Sequence, residues 1–323
     1  MNLHGMAWPM IATFLGSAMC VSSLSAQEPL NTALLAPGVL ISTSEQAPVA
    51  FVADAQGRVA AISLNDGVVS WRGPAEGLPL ALVGRQLVVL GRPGGPGQLS
   101  LQLLDPEDGS ALGGVVGELP EGVLASPDAQ PNRVFEATAD TSTGALRIRW
   151  SYAEWPLQGA QILRKPGAGT GRREASGVVS VDFAANRVQE VSEQGMPAPR
   201  IPDLIGSQRL ASVEGTQILA ADDAFVQVST AVADESLGVQ WRWSLHERSS
   251  GRSAGTILLP YASAPFLLRG NQLLWRSEPL TQRQPSGTYL THPARLVAQD
   301  LTQGRELWSV DLLDRKYRGV LPP

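Results

Sequence analysis

Outside its first residues the chain carries two histidines, His246 and His292, and imidazole is the side chain that titrates nearest neutral pH and the commonest metal ligand. Neither stands at metal-ligand spacing, so each reads as a solvated or structural residue. Two adjacent carboxylate pairs, Asp222-Asp223 and Asp234-Glu235, have the chemistry to share a calcium ion or a proton. Neighbours on a strand point to opposite faces, however, and in turns they cap backbone N–H groups, so turns are the simpler reading. Asp105-Pro106-Glu107-Asp108-Gly109 has the composition of a calcium loop without its alternating ligands or its distal bidentate glutamate, and it reads as a hairpin turn. Gly167-Ala168-Gly169-Thr170-Gly171 lacks the Lys-Ser/Thr that completes a phosphate loop. With Arg164, Lys165, Arg172 and Arg173 around it, it reads as a basic loop with the charge to grip an acidic partner. No catalytic, cofactor-binding or metal-binding residue follows from these motifs, and no cofactor is expected.

The elements that would hold such residues are short and turn-rich. Gly 33 and Pro 24 make 57 of 323 residues, and hydrophobic residues at 43% suffice for a core. Twenty-five basic against thirty acidic residues leave a net charge of −5, which argues against nucleic acid as a partner. Cys20 is the single cysteine, so no internal disulfide forms. Trp8 to Val21 is mostly apolar, and Ser22-Ser23-Leu24-Ser25-Ala26 supplies small residues before Gln27-Glu28-Pro29. That order predicts a signal peptide over residues 1–26, although the first seven residues hold no Lys or Arg, and it predicts a periplasmic or secreted protein. Met19 before Cys20 disfavours lipid anchoring. No later apolar run reaches membrane-spanning length.

Self-similarity decides the fold. Residues 61–71 and 298–308 each begin with Ala, place Gly seventh and end in Trp. Weaker copies run Leu103 to Gly113, Thr138 to Ile148 and Ser180 to Glu190, with a poorer one around Gly251. Each reads as strand, tight turn, strand, since Asp or Asn beside Gly supplies a side-chain cap and a residue able to take positive φ. Asn186 fills the glycine's place as the residue that best tolerates that conformation. The turn residues Gly67, Gly109, Gly144, Asn186, Gly251 and Gly304 recur at propeller-blade intervals of roughly 40 to 50 residues with insertions. In Ile148-Arg149-Trp150-Ser151-Tyr152 and Trp241-Arg242-Trp243-Ser244-Leu245 the large apolar residues alternate with polar ones, placing each aromatic set on one strand face between packed blades. The sequence predicts an all-β chain: a β-propeller of about six four-stranded blades, within a range of five to eight, over residues 37–313. An extension, 27–36, precedes it and a tail, 314–323, follows.

The pattern Ala-x-x-x-x-x-Gly-x-x-x-Trp, with Asp at the third position in Ala298 to Trp308, resembles the tryptophan-docking repeat of the PQQ-like quinoprotein β-propellers. The resemblance implies that Trp71 and Trp308 hold adjacent blades together, with Ala61, Gly67, Ala298 and Gly304 as their partners. It is specific at the two ends of the body. The large quinoprotein dehydrogenases are longer, with a calcium site and often a vicinal cysteine pair, so the resemblance points to the non-catalytic branch. The expected function is therefore an exported binding or scaffolding module of the bacterial cell envelope with protein partners. The competing class is an extracytoplasmic enzyme, a hydrolase, lyase or dehydrogenase relative, with its site in the central channel.

Overall fold

A computed structural model describes residues 32–42, 48–128, 132–141, 145–154, 157–158, 161–162, 173–191, 212–213, 216–220, 225–234, 238–247, 249–262, 264–277, 279–283 and 286–313. The expected signal segment, the basic glycine-rich loop, Asp222-Asp223, Glu235 and the tail lie outside them. Every regular element among these residues is a strand.

Blade 1 contains β1 (Thr32–Ala36), β2 (Val39–Ser42), β3 (Val49–Ala53), β4 (Arg58–Ser63) and the first part of β5 (Val69–Val83). The sheet thus begins inside the stretch read as an extension. The remainder of β5 opens blade 2, which continues with β6 (Gln86–Gly91), β7 (Gln98–Leu104) and β8 (Ala111–Glu118). Blade 3 is β9 (Arg133–Asp140), β10 (Leu146–Glu154), β13 (Arg173–Asp182) and β14 (Arg187–Val191); the small pair β11 (Leu157–Gln158) and β12 (Gln161–Ile162) interrupts it. Blade 4 holds β15 (Ser212–Val213), β16 (Thr216–Ala220), β17 (Phe225–Asp234), β18 (Gly238–Glu247) and β19 (Ser253–Leu259). Blade 5 is β20 (Phe266–Arg269), β21 (Gln272–Ser277), β24 (Arg295–Asp300) and β25 (Arg305–Asp311), with the hairpin β22 (Leu280–Arg283) and β23 (Tyr289–His292) inserted. All the strand ladders are antiparallel meanders, as short turns dictate.

Among the described residues the ladders form one eight-stranded sheet, which runs through β5 from blade 1 into blade 2, and sheets of four, five and four strands beside two small hairpins. The turn copies take different places in them. The copy around Gly144 joins β9 to β10, the first two strands of blade 3, whereas Gly67, Gly109, Asn186, Gly251 and Gly304 each join the last two strands of a blade. Those five residues all take positive φ, from 49° at Asn186 to 75° at Gly109. In four of the turns the glycine N–H donates to the carbonyl four residues back, for example Gly304 to Asp300 at 2.7 Å. The repeat's acidic residue caps the same turn: Asp300 Oδ1 accepts the N–H groups of Thr302 and Gln303. Those bonds, Gln303's first, hold the Asp300 carboxyl below the usual carboxylate range.

Four apolar clusters join the blades in series. One links Phe51, Val59 and Ala61 of blade 1 to Leu87, Val89 and Leu104 of blade 2. The next links Leu99, Leu101 and Val115 to Phe135, Ile148, Trp150 and Tyr152 of blade 3. Trp243, Leu245 and Ile257 of blade 4 pack on Leu273, Trp275 and Val297 of blade 5. Finally Leu274, Leu296, Ala298 and Trp308 of blade 5 pack on Ile41, Val52 and Ile62 of blade 1. Leu312 and Leu313 reinforce that last junction, where Leu313 N–H donates to the Ala53 carbonyl and Leu312 bridges Asp54.

Candidate functional site

A blade has a forward face, toward the next blade in the chain, and a backward face. The repeat's tryptophan reaches the forward face through a β-bulge. In blades 1, 2, 4 and 5 the ladder before the turn shifts register between the residues six and five places ahead of the turn glycine, as at Ala298/Gln299 in blade 5. The extra residue, Leu307 in that case, turns the residue four places after the glycine onto the forward face. Trp308 thereby lies opposite Ala298 and drives its ring over Gly67 of blade 1: a Cβ added at Gly67 would stand 2.5 Å from Trp308 Cγ. Its Nε1 donates to the Leu64 carbonyl at 3.3 Å. Trp71 repeats the arrangement on blade 2, where a Cβ at Gly109 would meet its ring at 2.5 Å and its Nε1 donates to the Pro106 carbonyl at 3.0 Å.

These contacts rearrange the partners inferred from the sequence. Gly67 receives Trp308, and the receiver of Trp71 is Gly109 in the following repeat. Ala61 and Ala298 are buried beside the tryptophans of their own blades. Gly304 has open space where a Cβ would be, so only its left-handed φ of 65° calls for glycine. At the blade 4 to blade 5 junction the sizes are exchanged. Gly255 holds the tryptophan's position, and Leu301 of blade 5 fills the gap, 2.9 Å from a Cβ placed there.

Blade 3 departs from all of this. Its ladder runs without a register shift from Val178↔Val191 to Asp182↔Arg187, so Glu190, at the tryptophan's position, falls opposite Val179 on the backward side. The forward face is then set by simple alternation, and it is mixed: Glu136 and Thr138 stand with Val134 on β9, Arg147, Arg149 and Ser151 with Ala153 on β10, and Glu174 and Ser176 with the buried Val178 on β13. The face of blade 4 opposite its Trp243 side carries Arg242, Ser244, His246 and Thr256 beside Val228 and Leu258. Among the described residues no apolar cluster contains residues of both blades. A cavity of about 520 Å³ opens at one end of the blade 3 face, lined by Glu136, Ser151, Ala153, Glu174 and Ser176. Tyr152, also in its wall, donates to Glu154 Oε2 at 3.1 Å, and burial followed by that bond raises its phenol above the usual value. Arg149 Nε is buried without a hydrogen-bond partner.

The residues the sequence offered for chemistry are placed apart. Asp105 Oδ1 accepts the Glu107 N–H and Asp108 Oδ1 the Ser110 N–H, which is turn capping. His292 sits on the blade 5 hairpin, its ring edge toward Tyr261 at 6.5 Å. Its Nε2 is buried without a hydrogen-bond partner, and burial, then the Arg295 charge, hold its imidazole below the usual value. His246 lies across from Ser253 on blade 4. Ser253 is the centre of Gly251-Arg252-Ser253-Ala254-Gly255, which has nucleophile-elbow spacing that the motif reading passed over. Here it spans a β-hairpin with no helix behind it, unlike the strand–turn–helix that exposes such a nucleophile. Among the described residues no group of three His, Cys, Asp or Glu could hold a metal ion. The polar groups of the blade 3 face were within reach of the sequence, through Arg147, Arg149 and Ser151 alternating with Ile148, Trp150 and Tyr152.

No family model matches the chain, and no curated protein matches it. Solved structures share its outline loosely. An uncharacterized protein from Listeria monocytogenes EGD-e is 8% identical, with 87% of this chain and 82% of that chain covered at a TM-score of 0.27. The dihydro-heme d1 dehydrogenase NirN, in complex with DHE, is 12% identical over 82% of this chain and 64% of its own, at 0.23. Kuenenia stuttgartiensis hydrazine synthase is 8% identical over 82% and 74%, at 0.24. Overlaps this loose transfer neither a function nor a blade number.

Proposed function

We propose that the protein is an exported, non-enzymatic β-propeller of the PQQ-like docking-repeat type that serves as a binding or scaffolding module in the bacterial cell envelope, and that its binding surface is the cavity-bearing end of the blade 3 face. One observation carries the surface. The other four forward faces are apolar and covered by the next blade, whereas that of blade 3 presents charges and hydroxyls around a 520 Å³ cavity. Burying those groups against an apolar neighbour would leave them unsatisfied, so the arrangement favours water or a polar partner. The Trp71–Gly109 and Trp308–Gly67 contacts support the docking-repeat kinship. Export rests on the apolar Trp8 to Val21 segment and the small residues ahead of Gln27.

Two measurements test the reading. N-terminal sequencing of protein from the native host should find a start near Gln27 in an extracytoplasmic fraction, and an intact Met1 in the cytosol overturns export. Immobilised protein should retain protein partners from an envelope extract, and Glu136→Arg with Glu174→Arg should release them. Retention unchanged by that reversal moves the binding surface elsewhere. The competing hydrolase reading has the Ser253–His246 neighbourhood in its favour, and ester turnover abolished by Ser253→Ala would replace the binding role.

A further inference from the structure

We propose that the β22–β23 hairpin of blade 5 is an acid-released element, docked on the blade while His292 is neutral and let go when that imidazole takes a second proton. The hairpin leaves after Ser277 at the end of β21 and returns at Arg295 on β24. Among the described residues its strands pair only with each other, from Leu280↔His292 to Arg283↔Tyr289. Its own packing is thin. Thr281, Tyr289 and Thr291 are exposed, and Leu280, Leu290 and His292 are only half-buried. A two-stranded ribbon is marginal by itself, so what docks it lies at its root. There the buried Ser277 Oγ donates to the Pro293 carbonyl at 3.1 Å and accepts the Arg295 N–H at 2.9 Å. The Tyr261 hydroxyl bonds the same Ser277 side chain, and its ring packs on Trp275 at 5.6 Å. His292 sets its ring edge-on to Tyr261 at 6.5 Å and so extends that aromatic row into the hairpin.

The buried nitrogen makes this contact sensitive to protonation. His292 Nε2 is shut off from water and meets no hydrogen-bond partner. A neutral ring can leave that nitrogen as a bare acceptor, with its proton on Nδ1, whereas in an imidazolium both nitrogens donate and the Nε2–H is buried unpaired. The surrounding charges oppose the proton as well. Arg295 on β24 acts on the ring, and the carboxylates of Glu306 and Asp311 on β25 are paired with Arg295 at 3.1 and 3.5 Å. Tyr261, its phenol raised by burial, stays neutral throughout. Arg283, opposite Tyr289, lies three ladder steps from His292, about 10 Å along the hairpin. Burial and the Arg295 charge thus keep the docked imidazole below its ordinary value, while the released one returns to about 6.5. The released form binds the proton more tightly, so docking is complete above that pH and weakens as pH falls from there to the docked value.

Amide hydrogen exchange of the full chain, corrected for the intrinsic effect of pH on exchange, reads the docking. Peptides across residues 280–292 should open about ten-fold more often at about pH 5.5 than at about pH 7.5, one unit below and above the free imidazole value. Those from β21 and β24 should stay equally protected at both. His292→Phe keeps the ring and cannot titrate, so its hairpin should show no pH response; His292→Gln serves if the Phe variant does not fold. Tyr261→Leu should loosen the hairpin already at the higher pH, and full protection there overturns the docking contact. Equal protection of the parent hairpin at the two pH values overturns the proposal. So does a pH response that survives in His292→Phe or His292→Gln, which assigns it to other groups, or one shared by β21 and β24, which makes it unfolding of the blade.

Discussion

The junction from blade 5 to blade 1 and the cavity-bearing face of blade 3 are built on the same turn and reach opposite ends. Asp300 to Arg305 and Asp182 to Arg187 have the same length and the same acidic cap, and Gly304 and Asn186 both take positive φ. One inserted residue separates them. The bulge at Leu307 swings Trp308 onto Gly67, while the regular ladder of β14 sends Glu190 to the other side and leaves Gln189 and Ser180 facing forward. The middle strands record the result. β21 is buried on both faces, with only Gln272 partly exposed, whereas β10 alternates buried residues with partly exposed ones as far as Tyr152, and Ser151 is exposed. A propeller can thus be fixed at one junction and left accessible at another without changing its strand order.

The sharpest way to break the comparison is to remove the wedge. Trp308→Ala should cost about 3–5 kcal/mol in urea unfolding, the range for a buried aromatic. A loss below about 1 kcal/mol would mean that the blade 5 to blade 1 junction is held by other contacts. The receiving glycines give the next largest effect. Gly67→Ala and Gly109→Ala must move a tryptophan as well as hold alanine at positive φ, about 2–4 kcal/mol together. Gly251→Ala and Gly304→Ala have open space around them and should lose only the conformational part, about 1–2 kcal/mol. Equal losses at all four positions would remove the size argument for docking.

Substitution in the cavity wall should hardly register in stability. Ser151→Ala and Ser176→Ala are expected within about 0.5 kcal/mol of the parent, as for surface positions. A loss above about 2 kcal/mol would show that a neighbouring element covers this face. The smallest effect concerns His292. Its folded imidazole titrates below the unfolded value of about 6.5, so its contribution to stability is complete above that pH and lost as pH falls through the folded value. His292→Gln should flatten that part of the stability–pH curve, and an unchanged slope would assign it to other groups.

Much of the fold was legible in the chain. Val49-Ala50-Phe51-Val52 and Gln86 to Leu90 were readable as strands, because β-branched and apolar runs between turn residues have few other solutions. Asn186 was readable as a left-handed turn residue, and its φ of 49° agrees. The copy around Gly144 lies between the first two strands of blade 3 and the other copies lie between the last two strands of a blade, a difference that only strand pairing reveals. The cavity residues Glu136 and Glu174 are 38 positions apart, on strands separated by β10, so no local motif could join them.

By itself the sequence determined strands, turns and which residues share a face, since these depend on φ preferences and on a period of two that each segment carries alone. Tertiary structure decided which glycine receives which tryptophan. It also decided that blade 3, lacking one bulge residue, keeps Arg149, Ser151 and the two glutamates together on one face. Those outcomes depend on ladder register across strands far apart in the chain. A single inserted residue there changes which side chains meet the next blade.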